Sequence, residues 1–351
     1  MKARLKIQNF GPIDDLDIEI SKFNILIGPH ASGKSTIAKV LCVINFFDSE
    51  MHLDYGKTYD VRGIKAKLFY YRIESFLKEN TYWFFEDERF NFELKDSKMI
   101  INNGVDFATN EIPLDSYYFP AERIALPMIS ESLFEITLAE SSLPGYFLKF
   151  GKDFTVSRKN QNMFNIPLLD VQFAYEGGRN VVTLPDKKSL LLEETSSAIQ
   201  ANLPLLIILQ YPFKIASLLV IEELELHCFP VLQKRLLYYL IERTTPPRSL
   251  DTYVILPTHS PYILSSANNL LFAAKVAKQD KETATEVNKI IGRDSWIAKE
   301  NFSAYFINNG TAVSIVNPKT GLIDENELDG ISEDLSGEFD ALMDLYKPVA
   351  A

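Results

Sequence analysis

The segment Gly28-Pro29-His30-Ala31-Ser32-Gly33-Lys34-Ser35-Thr36 constrains this chain more than any other, because it satisfies GxxxxGK(S/T) between an apolar run and an amphipathic one. Phe23 to Ile27 reads as a buried strand leading in, and Thr36 to Phe46 continues as a helix with Ile37, Leu41 and Ile44 apolar. Strand, glycine loop and helix in that order make a phosphate cradle. Backbone N–H groups and the helix N-terminus face the α- and β-phosphates, and Lys34 reaches the β/γ oxygens. Gly28 and Gly33 permit the tight loop, and Ser35 is placed to hold Mg²⁺.

Composition narrows the partners. The 351 residues suffice for one large domain or two of ordinary size, and with 46% hydrophobic and 24% charged residues they can bury a substantial core. A net charge of −11 gives the chain as a whole no attraction for nucleic acid or an anionic membrane, so such contact needs a local basic patch. The densest basic groups are only pairs, Arg158-Lys159, Lys187-Lys188 and Lys234-Arg235, which read as solvated surface charge. Cys42 and Cys228 lie far apart without CxxC spacing, which argues against a disulfide framework or a zinc site and fits a reducing cytoplasm. Met1-Lys2-Ala3-Arg4 runs into an alternating strand with no signal-like apolar region. The most apolar stretch, Leu203 to Ile221, is broken by Pro204, Pro212 and Lys214. Neither a signal peptide nor a membrane span is expected.

Read in order, Leu5 and Ile7, then Leu16, Ile18 and Ile20, alternate with polar residues as two half-buried strands about the Gly11-Pro12 turn. Residues 47 to 112 are rich in Tyr, Phe and charge. They suggest a helix over Val61 to Lys78 and strands around Tyr82 to Phe85 and Phe90 to Leu94. Asp115 to Arg123 is a short strand ending in Pro120 and a charged pair; Ile124 to Asp170 reads as mostly helix; 171 to 192 reads as strands about Gly177-Gly178. A helix begins in Glu194-Thr195-Ser196-Ser197-Ala198-Ile199-Gln200 with a Ser or Thr cap, and Pro204 is expected to kink it. Ser217 to Ile221 is a buried strand delivering Glu222 and Glu223, and a helix follows from Pro230 to about Arg243. Thr252 to Leu256 is another strand, ending in Pro257-Thr258-His259-Ser260-Pro261. Leu270 to Ala274 is expected as a final strand, Ser303 to Val316 as a hairpin about Asn308-Asn309-Gly310, and Glu325 to Tyr346 as an acidic helical tail.

A nucleotide hydrolase needs a cradle, a metal ligand, a carboxylate acting on water and a sensor of the γ-phosphate. Glu222 is placed to position Mg²⁺ through water, Glu223 to polarise the attacking water, and His259 to sense the γ-phosphate. Two glutamates at a strand end face solvent about as often as they do chemistry, and a lone histidine is usually a satisfied turn residue. Three strand ends after the cradle, carrying Glu122, Glu222/Glu223 and His259, weigh the other way.

These motifs resemble ABC-type ATPases of the SMC/RecF branch, and within it the OLD-like and PtuA-like group of small prokaryotic ATPases. Gly28 to Ser35 is similar to the Walker A segment, and Phe119-Pro120-Ala121-Glu122-Arg123 to the PAER segment that stands where other ABC ATPases have the Q-loop. Thr195 to Gln200 resembles the signature, Leu218 to Glu223 the Walker B strand with its catalytic glutamate, and Thr258-His259-Ser260-Pro261 the switch-histidine segment. Three positions depart from the pattern: Glu222 stands for the usual Asp, Leu224 for a common Pro, and Ala198 for the signature glycine.

The resemblance implies an α/β P-loop NTPase, an ABC-type ATPase head with a mixed sheet and a helical accessory region. One head would span 1–351, with a nucleotide-binding core in 1–46 and 171–275, an accessory insertion in 47–112, a helical insertion in 124–170, and a C-terminal hairpin and acidic tail in 276–351. It further implies ATP and Mg²⁺, nucleotide contacts from the loop residues 28–36 and from Glu122, and a homodimer or higher oligomer in which Ser197 of one copy reaches nucleotide on the other. Slow hydrolysis would then regulate a separate nuclease or toxin in antiphage defence. The alternative is a RecF-like ATPase that binds DNA in repair or recombination; the missing LSGGQ disfavours a transporter subunit. Between Arg123 and Thr195 roughly seventy residues without heptads leave no long coiled-coil arm. Residues 323–329 lack the strand-embedded DxD of a Toprim nuclease, so they read as a solvated acidic helix.

Overall fold

The computed structural model describes residues 3–49, 58–60, 62–88, 90–103, 115–129, 143–211, 217–245, 252–324 and 336–343. Its first strands, β1 (Ala3–Phe10) and β2 (Ile13–Ile20), pair antiparallel, so that Leu5, Ile7, Leu16 and Ile18 bury one face. β3 (Phe23–Ile27) is buried throughout and enters the glycine loop, after which α1 (Lys34–Ser49) packs Ile37, Leu41 and Ile44 inward.

Next come β4 (Thr58–Asp60), α2 (Arg62–Tyr70), β5 (Tyr82–Glu86), β6 (Phe90–Lys95) and β7 (Lys98–Asn103). The helix expected over Val61 to Lys78 stops at Tyr70, because Arg72 adopts φ 57° and only a short 3₁₀ turn, Glu74–Phe76, follows. The strands of this interval extend the N-terminal sheet, whose order is β2-β1-β5-β6-β7-β4, with Leu5 opposite Phe85. Trp83 and Phe10, ring centroids 4.7 Å apart, pack edge to face at its core.

β8 (Asp115–Phe119) leads through a 3₁₀ turn to α3 (Leu126–Ile129) and then to α4 (Gly145–Ser157). A second sheet, ordered β12-β11-β10-β9, is an antiparallel meander of β9 (Met163–Ile166), β10 (Val171–Glu176), β11 (Arg179–Thr183) and β12 (Ser189–Leu191). The helical reading of Ile124 to Asp170 therefore fails at Met163–Ile166, where alternating burial puts Phe164 and Ile166 against the core. Gly177 and Gly178, both at positive φ, make the tight turn between β10 and β11.

α5 (Ser197–Leu209) follows; Pro204 lies inside it without ending it. β13 (Ser217–Ile221), α6 (Pro230–Thr244), β14 (Thr252–Thr258), α7 (Pro261–Val276), α8 (Lys281–Ile290), β15 (Phe302–Asn308) and β16 (Thr311–Ser314) complete the third sheet and its cover. That sheet is ordered β16-β15-β3-β14-β13-β8; the five strands from β15 to β8 are parallel and β16 is an antiparallel edge. Leu270 to Ala274 is helix, not strand. Ser260 Oγ accepts from the Tyr262 and Ile263 amides, Pro261 begins the turn, and Ile263, Leu264, Ala267, Leu270, Leu271 and Ala274 are buried at helical spacing. β15 supplies the remaining parallel strand, and its hairpin to β16 turns at Asn309 and Gly310, both at positive φ. The Gly310 carbonyl accepts from the Asp14 and Asp15 amides, fastening the hairpin to β2. Most of the expected acidic tail lies outside the described residues; 336–343 are helical and exposed.

Candidate nucleotide site

The parallel strands β8, β13, β14 and β3 all end on one side, and their C-terminal ends bound a cleft of about 480 Å³. Gly28 sits at φ 153°, and a Cβ there would lie 2.0 Å from the Ile307 carbonyl oxygen, so only glycine lets β3 leave the sheet here. Ala31 and Gly33 also take positive φ, 59° and 105°, which folds the loop back toward α1. Lys34 opens α1, is 5% exposed, and donates from Nζ to the Gly28 and Pro29 carbonyls at 2.9 and 2.7 Å. Burial pulls its ammonium down from 10.5 to about 8, against the upward pull of Glu223, Glu225 and Glu222.

The cleft brings together His30, Ala31, Ser32, Gly33, Lys34, Ser35, Thr36, Glu222, Glu223 and His259, while Gly28 and Pro29 hold the Lys34 head from behind. Glu122 and Ser197 are not among the residues that line it. Glu122 is exposed, with an oxygen 3.5 Å from Tyr146 Oη, and its neighbours face inward instead: Ala121 lines the cleft and Arg123 is fully buried. Ser197 is exposed at the start of α5, whose Ser196 cap receives no side-chain hydrogen bond.

Glu222 and Glu223 follow directly on β13. The Glu222 amide donates to Phe119 O, and one carboxylate oxygen accepts from the Ala121 amide at 3.2 Å. Glu223 is turned into the left-handed region, φ 45°, with its amide on Pro257 O. Burial raises its carboxyl pKa, and Glu225 and Glu222 raise it further, against Arg123 and His30. At the end of β14, Glu225 accepts from Thr258 Oγ1 at 2.7 Å and from the His259 amide at 2.9 Å. The His259 ring lies over His30, centroids 4.1 Å apart, and burial with Lys34 and His30 nearby holds it at about 4, so it is neutral at pH 7.

Sequence reasoning missed Pro12, Phe76, Ala121 and Pro257 in the lining, the anchoring by Glu225, and the buried position of Arg123. Glu225 stands two residues past Glu223, so its signal was present; nothing local marks Phe76.

The loop, its lysine and the β8 turn fall within the stretch that a known family matches. Residues 1–143 match the AAA ATPase domain family. The acid pair and His259 lie beyond that AAA ATPase match, and only the parallel sheet returns them to its loop. No curated protein sequence matches the chain. Among solved structures it is similar to an SMC head domain from Thermotoga maritima, with 14% identity, TM-score 0.40, and coverage of 89% of this chain and 97% of that one. It is also similar to an Smc head domain bound to the C-terminal domain of ScpA, derived from Pyrococcus furiosus, with 12% identity, TM-score 0.41, and coverage of 96% and 99%. A third is the recombination mediator protein RecF of the RecFOR pathway, solved as RecF-ATPrS, with 9% identity, TM-score 0.38, and coverage of 89% and 97%. Among the described residues no helix is long and apolar enough to cross a membrane.

Proposed function

We propose that this chain binds ATP with Mg²⁺ in the cleft, hydrolyses it slowly, and works as a pair of copies closed around two nucleotides. The observation that carries the reading is the meeting of Lys34, Glu223 and His259 in one cleft from three separate strand ends. Lys34 and the loop amides bind and orient the phosphates. Glu223, its carboxyl raised by burial, takes the proton of the attacking water, and the His259 ring senses the γ-phosphate oxygens.

The residues present fit Mg²⁺. Ser35 offers a hydroxyl and Glu222 a carboxylate, both lining the cleft, a sparse set that suits a cation retaining its waters and sharing phosphate oxygens. The ion, when bound, neutralises charge on the transferred phosphoryl group.

Ser197, exposed and outside its own cleft, is free to face the nucleotide of a second copy. Phe229 and Tyr262, 77% and 52% exposed, come after β13 and β14 in the chain and would provide apolar contact for that copy. The resemblance to the OLD-like and PtuA-like group supports the further reading that nucleotide state licenses a separate nuclease or toxin in antiphage defence. With a net charge of −11, direct DNA binding of the RecF kind is the weaker alternative. The test is phosphate release together with light scattering of Glu223→Gln with and without ATP. Release that does not require Lys34 and Glu223 refutes the cleft, and an unchanged mass with ATP refutes the pair.

A further inference from the structure

Arg123 is fully buried, and its four hydrogen bonds among the described residues all go to backbone carbonyls. Nη1 donates to Glu222 O at 2.6 Å and to Pro120 O at 3.1 Å, Nη2 to Glu223 O at 2.7 Å, and Nε to Ala201 O at 3.1 Å. One guanidinium thus joins the turn after β8, the acid pair after β13, and helix α5. Its N–H directions are fixed by the planar fork, so Glu222 and Glu223 cannot shift without breaking a bond or moving Ala201.

The next residue of α5 repeats the connection. Asn202, also fully buried, donates from Nδ2 to Leu226 O at 3.1 Å and to Cys228 Sγ at 3.2 Å, while holding Ala198 O of its own helix. Two adjacent helix residues are therefore tied to the Glu222–Cys228 turn, Ala201 through Arg123 and Asn202 directly. The corner they hold is strained: Glu223 sits at φ 45°, a backbone state that persists only where the surroundings over-determine it.

Stability alone does not account for a buried cation here. Removing a guanidinium from water is costly, and apolar replacement of buried charges is often neutral or better. What an apolar side chain cannot do is hold three segments by their carbonyls at once.

We propose that Arg123 is a positioning residue for hydrolysis, fixing Glu223 in the cleft and tying it to the helix that begins at Ser197. Nucleotide bound in one copy then sets the helix end which that copy offers to the other. This rests on the reading of the cleft as an ATP site shared by two copies.

The test compares Arg123→Met and Arg123→Lys with the parent in ATP affinity, steady-state kcat and KM, and ATP-driven association on the Glu223→Gln background. The expected result is affinity and KM within about threefold of the parent and kcat lower by roughly thirtyfold in Arg123→Met, with partial recovery in Arg123→Lys. Association is lost in the Met variant. A folded Arg123→Met with parental kcat overturns the proposal, as does a variant in which kcat and affinity fall and KM rises together with a lower Tm. If both variants fail to fold, hydrogen exchange on Ser197→Arg, expected to stay a single copy, decides. There ATP must slow exchange at Ile199 to Asn202 as well as at Glu222 to Leu226, and protection confined to the acid segment overturns the link. A parent that binds no ATP overturns both readings, whereas Lys34-dependent binding with an unaffected Arg123→Met kcat overturns the link alone.

Discussion

Replacing Lys34 by Met separates binding from stability in one substitution. Met keeps much of the volume of a side chain that is 5% exposed and removes the ammonium that lies 2.9 and 2.7 Å from the Gly28 and Pro29 carbonyls. A unit charge about 4 Å from a phosphate oxygen, at an effective dielectric of about 20, contributes about 4 kcal/mol. ATP affinity is therefore expected to fall by about three orders of magnitude. Stability should not follow. The folded protein holds this ammonium at about 8 against 10.5, so the unfolded chain binds more protons between those values and stability rises with pH across that window. Met removes that dependence, and Tm at pH 7 should match or exceed the parent. The same shift gives the parent an alkaline limb: phosphate favours charged Lys34, so ATP affinity is flat below pH 8 and falls by up to about tenfold per pH unit above it. Isothermal titration from pH 7 to 9.5, with thermal melts of both proteins, makes the measurement. A folded Lys34→Met that binds ATP within about threefold of the parent would refute the cradle assignment.

Other expectations follow from the same geometry. Glu223→Gln keeps the side chain's size and removes the base, so kcat should fall about a hundredfold or more while ATP binding persists and association increases; turnover at the parental rate places the base elsewhere. Ser197→Arg should abolish ATP-driven association by bulk at the exposed start of α5 and leave ATP binding in its own cleft within about threefold, as light scattering and titration can check. Equal association with and without the change would make Thr195 to Gln200 an ordinary helix start. Gly28→Ala puts a Cβ 2.0 Å from Ile307 O at a φ of 153°, which should cost about 3 kcal/mol, about 4 °C of Tm for a chain of this length, and separate β15 from the loop; a melt within about 1 °C of the parent contradicts that contact.

The strand, glycine loop and helix around Lys34 were legible in the sequence because their causes are local. Glycines at 28 and 33, an apolar run before them and a helical period after them act within about twenty residues, and neighbouring chain has little say in the outcome. The ends of β13 and β14 were legible for a similar reason, since an uninterrupted apolar run that stops at Glu222, or at Thr258 and His259, has to surface there. Leu270 to Ala274 shows where local reading fails. A five-residue apolar run fits a strand or one face of a helix, and the cap at Ser260, ten residues upstream, decided for helix. The tertiary structure alone decided which residues of the PAER segment face the site. In a 3₁₀ turn successive side chains point different ways, and because the buried side of that turn is α5 and the acid corner, Arg123 went inside and Glu122 out. The same holds for Glu225 on His259 and for β5 beside β1. These contacts join residues separated by 34 and about 80 positions, over which no periodicity of the chain carries information, and they form only when sheet order brings the strand ends together.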